Sequence, residues 1–241
     1  MKRLLDFLIA FIGLLILSPV FLIFMVLIFL QDRHSPIYKA PRVGIRGNYF
    51  NMVKMRSMVV DADKSKVDST SSDDARITPL GMTIRRYKLD ELTQLWNVLL
   101  GQMSLVGPRP QIKRDVDLYS KAEKKLLEVS PGITDFSSIV FSDEGDILQG
   151  KEDPDLAYNQ LIRPWKSKLG IIYIENQSLI LDLKLIIYTF IAILSKERAL
   201  KYLERELSAI TDDKELMRVC MRKDDLYPAI PPGHKRIVES R

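Results

Sequence analysis

Cysteine is almost missing from the chain: Cys220 is the only one among 241 residues. No disulfide can therefore close within it, and a reducing compartment is the simpler setting. Histidine is nearly as scarce, with His34 and His234 far apart in sequence. These two shortages argue against a Cys/His zinc site and a serine–histidine triad. No GxxxxGK[ST], HExxH or GxSxG pattern occurs, and no internal repeat. Any catalysis must rest on carboxylates and cations, with or without a hard metal ion. Neither sign of charge is lacking: 36 Lys and Arg stand against 31 Asp and Glu, a formal charge of +5. That balance suits an anionic membrane surface, a phosphorylated substrate or nucleic acid alike. The cations are scattered and no recognised nucleic-acid module occurs, so no nucleic-acid partner is expected. With 46% hydrophobic and 28% charged residues the chain is a folded protein, long enough for one catalytic domain with appendages.

One long hydrophobic run is present. Residues 7–30 carry no charge. At ~1.5 Å per residue they make a helix of about 36 Å, enough to cross a bilayer core of about 30 Å. A cleaved signal peptide fits poorly, because the run is too long and no small-residue cleavage pattern follows. Two features set a straight span against a helix that enters, breaks and returns. Ser18-Pro19 lies mid-run, where Pro19 has no N–H for the Leu15 carbonyl and Ser18 can back-bond to Leu14. Cations also flank both ends: Lys2 and Arg3 before it, and Arg33, Lys39, Arg42 and Arg46 after it. The positive-inside rule puts both flanks on the cytoplasmic face. On these grounds alone, span and re-entrant hairpin stand level.

Residues 36–58 read as two short strands around Gly44-Ile45-Arg46-Gly47-Asn48. Lys54 and Arg56 fall on the same face of the second strand. Residues 61–76, rich in Asp, Ser and Lys, read as a mobile loop. Helical patterns follow at about 80–100 and 111–129, the second ended by Ser130-Pro131-Gly132. Residues 178–194 are almost wholly apolar but interrupted by Asp182 and Lys184. They predict a helix in the interface or packed under the catalytic domain, not a span. Residues 196–226 alternate charges in a helical pattern and lead through Pro228, Pro231 and Pro232 into a basic tail, expected to be a solvated end.

Chemistry concentrates in residues 89–110, which read LDELTQLWNVLLGQMSLVGPRP. Leu92, Leu95, Trp96 and Leu99 form an apolar helical stripe. Asp90 and Glu91 fall near its start, where the helix dipole favours carboxylates and backbone N–H groups can meet phosphate. Such a pair is ordinarily a cap on a solvated surface. It can also divide labour, one carboxylate attacking phosphorus while the other helps hold magnesium. Pro108-Arg109-Pro110 alone could be a stiff connector.

The whole stretch closely resembles the bacterial sugar-transferase family, the monotopic phosphoglycosyl transferases of polyprenol-linked glycan assembly. The resemblance extends over roughly residues 2–194. It includes Ser18-Pro19, Arg42-Val43-Gly44, Lys54-Met55-Arg56-Ser57-Met58, Pro131-Gly132-Ile133-Thr134 and the 178–189 segment with Asp182. Two departures stand out: Thr93 occupies the usual proline position of the dyad segment, and Asp135-Phe136-Ser137-Ser138 replaces a common Gly-Trp/Leu-Ala-Gln. The 153–168 segment looks like a subgroup insertion.

The resemblance implies an α+β, mainly α fold with a re-entrant helix-break-helix hairpin hinged at Ser18 and Pro19, interfacial amphipathic helices and a small β-hairpin. Its divisions would be a membrane anchor (1–32), a catalytic domain on the cytoplasmic face of the bacterial inner membrane (33–195) and a helical extension with basic tail (196–241). It further implies a ping-pong reaction. Asp90 is the nucleophile on a UDP-sugar, UMP leaves, and polyprenol (undecaprenyl) phosphate takes the phosphosugar. Asp90 and Glu91 would hold Mg²⁺ and Arg109 would clamp phosphate. Lys54 and Arg56 would contact either phosphate or lipid head groups. The expected partners are these two substrates and membrane lipid, with room for a homodimer. A lipid-binding adaptor and a phosphohydrolase are the rival readings.

Overall fold

The structure, a computed structural model, describes residues 1–65 and 67–239. Its longest element is one apolar helix, α1 (Lys2–Asp32), with Pro19 inside it. The chain stays helical through Ser18-Pro19, so a re-entrant hairpin there would be a bend within one helix and not a gap between two. The Ser18 hydroxyl donates to the Leu15 carbonyl at 2.8 Å, not to Leu14. Leu15 is the residue whose carbonyl loses its partner to the proline ring, so the neighbouring hydroxyl fills the gap and the helix continues. Both ends of α1 dock on the rest of the protein. At one end Lys2 donates to Asp182 at 2.5 Å and to the Val106 carbonyl at 3.1 Å. Asp6 accepts from the Ser104 hydroxyl at 2.8 Å. At the other end Arg56 grips both oxygens of Asp32. Between these ends most large side chains of α1 remain exposed, Leu15 and Ile16 by about two thirds.

The next elements build the floor of the site. Strands β1 (Ile37–Val43) and β2 (Tyr49–Met55) form the antiparallel hairpin foreseen from the sequence. Its turn passes through Arg46 and Gly47, both at positive φ. A short helix, α2 (Pro79–Arg86), is capped by the Thr78 hydroxyl, and its Gly81 lies against the Ser57 carbonyl so closely that no side chain would fit. Helices α3 (Leu89–Leu92) and α4 (Leu95–Leu99) break the expected 80–100 helix into turns. The apolar stripe shifts accordingly: Trp96 is half exposed, while Gln94 and Asn97 are fully buried. Asn97 earns its place by joining α4 to β2: it accepts from the Val53 N–H and donates to the Asn51 carbonyl, both at 2.8 Å.

Strand β3 (Ser104–Val106) precedes a one-turn helix, α5 (Lys113–Asp117), and a 3-10 turn over Glu123–Leu127, which replace the expected 111–129 helix. Strand β4 (Gly132–Thr134) pairs in parallel with β3. Gly107 and Gly132 cross here; a Cβ on Gly132 would lie 2.1 Å from the Gly107 nitrogen. Short helices α6 (Phe136–Val140), α7 (Glu144–Leu148) and α8 (Pro154–Ala157) follow, then a π turn and α9 (Arg163–Asn176). Helix α10 (Leu179–Leu194) buries Leu181, Asp182 and Leu185 and exposes Ile180, Leu183, Ile187 and Phe190. One side of it packs under the domain, as one of the two expectations had it, and the other is an open apolar stripe.

Two further helices, α11 (Lys196–Ser208) and α12 (Lys214–Cys220), join the main core through Leu200, Leu203, Leu207 and Leu216. The tail after them is largely exposed, as expected, but is tied back at several points. Tyr227 packs edge-on to Trp165, Ala229 donates to the Gln160 carbonyl at 3.0 Å, and His234 meets buried Glu123 at 3.0 Å. Ser240 and Arg241 lie outside the described residues, as does Lys66 in the polar 61–76 segment. That segment, expected to be loose, is tied through Arg76 to Asp74, Ser65 and the Val67 carbonyl.

Candidate active site

Asp90 sits on the first turn of α3 and is only 7% exposed. Lys88 before it adopts the left-handed conformation (φ 56°), which turns the chain sharply into the helix. Thr93, where the related pattern has proline, ties the turn down: its hydroxyl lies 2.8 Å from the Asp90 carbonyl and 3.1 Å from that of Val53 on β2. The Asp90 Oδ1 atom is sealed from solvent and has no hydrogen-bond partner among the described residues. Burial pushes its pKa up, and Lys54 pulls the other way.

Glu91 points to Arg109, whose Nη2 donates to its Oε1 at 2.6 Å. Burial disfavours the Glu91 charge, but Arg109, Lys88 and Lys54 outweigh it and hold the carboxyl well below the usual range. Arg109 in turn is pushed above its ordinary value, chiefly by Glu91. Lys54 is half-buried beside these groups. Loss of solvent and the nearby Arg109 bring its pKa down to about 8. Asp90, Glu91, Arg109 and Lys54 therefore form one electrostatic unit. Arg56 does not join it. It lies beyond the end of β2, where its guanidinium turns to Asp32 and the Ser35 carbonyl.

The chain between β3 and α5 places Arg109 in the lining of a cleft together with Gln111, Asp135, Ser137, Tyr158 and Lys166. Asp135 caps α6, accepting from the Ser138 N–H at 2.7 Å and the Ser137 hydroxyl at 2.8 Å. Lys166 is paired with Glu144 and lies 5.4 Å over the Tyr158 ring. Burial opposes the Glu144 charge, but Lys166, Arg109 and Lys88 keep its carboxyl below the ordinary value. Glu144, Lys166 and Lys88 were not legible as site residues from sequence. They stand outside the dyad stretch, and lone charges in helical segments carry no signal. The unusual Asp135 to Ser138 sequence and the 153–168 segment were the pointers to this wall.

The pattern of the bacterial sugar transferase family matches residues 1–196. The chain belongs to that family. Membership covers α1 through α10 and stops where α11 begins. Among family members, the exopolysaccharide production protein ExoY of Sinorhizobium fredii is 32% identical over 207 residues, spanning 80% of this chain and 84% of its own length. An undecaprenyl-phosphate glucose phosphotransferase of Komagataeibacter xylinus is 35% identical over 195 residues, 78% of this chain and 35% of its own. A UDP-glucose:undecaprenyl-phosphate glucose-1-phosphate transferase of Klebsiella pneumoniae is 32% identical over 192 residues, 78% of this chain and 39% of its own. The chain thus spans only about a third to two fifths of those two larger transferases. As a family member it is an enzyme of the phosphoglycosyl transferase type.

Proposed function

We propose that this sugar transferase moves a sugar 1-phosphate from a UDP-sugar to polyprenol phosphate in two steps, with Asp90 as nucleophile. The observation that carries the reading is the buried Asp90, one oxygen unpartnered, beside the Glu91–Arg109 pair and Lys54. In the first step an Asp90 oxygen bonds to the sugar-bearing phosphorus and the phosphorus–oxygen bond to UMP breaks. In the second, a polyprenol phosphate oxygen attacks the same phosphorus and returns the Asp90 carboxylate. A carboxylate is a weak nucleophile, so the negative charge on the phosphates must be met first. Arg109 retains guanidinium N–H groups beyond the one given to Glu91, enough for a bidentate phosphate contact. Lys54 adds a second cation from below.

Mg²⁺ fits this arrangement. Magnesium is commonly bound through one or two carboxylates with water and substrate phosphates, and no larger cage is needed. Asp90 Oδ1, which lacks a partner, and Glu91 would hold it, and when bound it neutralises phosphate charge. The acid groups themselves are few: the described residues hold no cluster of three or more metal-ligating side chains.

The same proposal gives α1 a monotopic seat at the membrane. A straight span would carry its two ends to opposite faces of the bilayer, yet Lys2 and Asp32 both grip the one catalytic body. A bend at Ser18-Pro19 would let both ends stay on the cytoplasmic face, with the open stripes of α1 and α10 in lipid. Polyprenol phosphate then meets UDP-sugar at the interface.

The test is UMP release from a panel of UDP-sugars by purified protein in detergent. One sugar should give about one UMP per enzyme without acceptor and continuous turnover once polyprenol phosphate is added. Steady turnover without acceptor would mean a hydrolase, and no release with any sugar a non-enzymatic adaptor.

A further inference from the structure

Arg42 has no role in the two steps of transfer, yet its surroundings are those of a ligand site. Tyr38, Ala40 and Arg42 on β1 stand opposite Lys54, Met52 and Phe50 on β2. Opposed residues of an antiparallel pair point to one face, and the burial of Ala40 and Met52 marks this face as the inner one. Arg42 and Lys54 are therefore carried on the same inner face. The end of β1 is also fastened to the segment that holds Arg109. There the Val43 N–H donates to the Gln111 carbonyl at 2.9 Å, two residues beyond Arg109.

Arg42 is half-buried. Among the described residues no carboxylate pairs with it, and its guanidinium donates only to the Pro41 carbonyl, at 2.8 Å. A guanidinium carries five N–H donors in a planar fork, so most of this one is unused. Burial and then Arg109 push its pKa down, and Lys54 is depressed in turn by burial, Arg109 and Arg42. Of the two site carboxylates, Glu91 is already taken up by Arg109. Gathering such cations away from water is unfavourable until an anion joins them. Lys54 also feels Asp90 and Glu91, whereas Arg42 feels Tyr38, Asp115 and Asp68 instead. Arg42 thus stands farther from the nucleophile than Lys54 does.

We infer that Arg42 binds the phosphate lying across the reacting phosphorus from Asp90, first that of UMP and then that of polyprenol phosphate. In phosphoryl transfer the entering and leaving oxygens are roughly in line. As the Asp90 oxygen bonds to phosphorus, the bond opposite breaks and its electron pair leaves on the UMP phosphate oxygen. In the second step the polyprenol phosphate oxygen enters opposite the Asp90–phosphorus bond, whose electron pair returns to the carboxylate. The departing and entering phosphates thus occupy one place in turn, and a cation set away from Asp90 meets both. The inference rests on Asp90 being the nucleophile.

The experiment compares full-length wild-type protein, Arg42→Met, Arg42→Lys and Asp90→Asn in detergent. UMP binding is read by calorimetry, KM for polyprenol phosphate by steady-state turnover, and folding by the thermal midpoint. Arg42→Met should weaken UMP binding and raise KM for polyprenol phosphate, each roughly 10- to 100-fold, the range for a hydrogen bond to a charged group. Arg42→Lys, which keeps the charge without the planar fork, should fall between Arg42→Met and wild type in both. The midpoint of Arg42→Met should equal or exceed wild type, because an unpaired cation has been removed. Wild-type UMP binding, or a wild-type KM for polyprenol phosphate, in Arg42→Met would overturn the shared subsite. So would a lowered midpoint, since the guanidinium would then serve the fold. An active Asp90→Asn would remove the nucleophile, and the in-line argument with it. A covalent adduct on Asp90 beside wild-type phosphate affinities in Arg42→Met would remove the Arg42 role alone.

Discussion

At the scale of single residues, Asp90 shows two opposed influences. Burial raises its pKa and so favours the unreactive acid, while Lys54 favours the carboxylate. If the ionised form attacks, the rate must fall as pH drops through that raised value. The acid limb of UMP release should therefore lie above the ordinary carboxylate range. Lys54→Met removes a group that lowers the Asp90 pKa, so the limb should move to higher pH. A pH series for both proteins checks this; a limb that moves down, or not at all, separates Lys54 from Asp90. The wild-type rate should also decline above about pH 8, where Lys54 itself loses its proton.

Elements owe their placement to close approaches and buried charge. The β3–β4 crossing has no room for a side chain at Gly132, where a Cβ would collide with the backbone of Gly107. Gly132→Ala should destabilise the protein by about 1–3 kcal/mol or more, seen as a lower thermal midpoint. Because this crossing adjoins the chain that carries Arg109, activity at low temperature should fall as well. Farther out, Glu123 is fully buried and takes two hydrogen bonds from Arg163, one from Ser167 and a contact from His234. Glu123→Ala leaves Arg163 buried without its partner and should cost about 3–5 kcal/mol. Replacing Glu123 and Arg163 together by apolar residues should cost less than the single change. Equal losses in both proteins would mean that the desolvated pair is not the source.

For the whole molecule, the decisive question is how it meets the membrane. A membrane-impermeant amine reagent should reach Lys2 and Lys39, one on each side of the apolar run, from the cytoplasmic face only. Labelling of Lys2 from the opposite face would make α1 a span. Much of the protein was legible in sequence where a period or a dense motif marked it. The β1–β2 hairpin followed from its Gly- and Asn-rich turn, and the apolar stripe of α10 from its composition. Asp90, Glu91 and Arg109 were named from the 89–110 stretch and Lys54 from the second strand, and they lie together. Strands of three residues, such as β3 and β4, have no period to read, and their pairing bridges residues far apart in sequence. Arg56 pairs with Asp32 and not with the carboxylates of the site, since alternation fixes a face but not what a long side chain will find beyond the strand end. The points at which the tail after α12 is tied back were not legible for a related reason: its contacts with Gln160, Trp165 and Glu123 are all long-range. Helix α1 kept its continuity through one hydroxyl bond to Leu15 that composition does not announce.

The central claim is covalent attack by Asp90. Purified protein mixed with its UDP-sugar, without polyprenol phosphate, should gain the mass of one sugar phosphate minus water. Peptide mapping should place that mass on Asp90, and added polyprenol phosphate should remove it. Asp90→Asn should show neither the adduct nor UMP release. Full turnover by Asp90→Asn, or an adduct on another residue, would contradict the account.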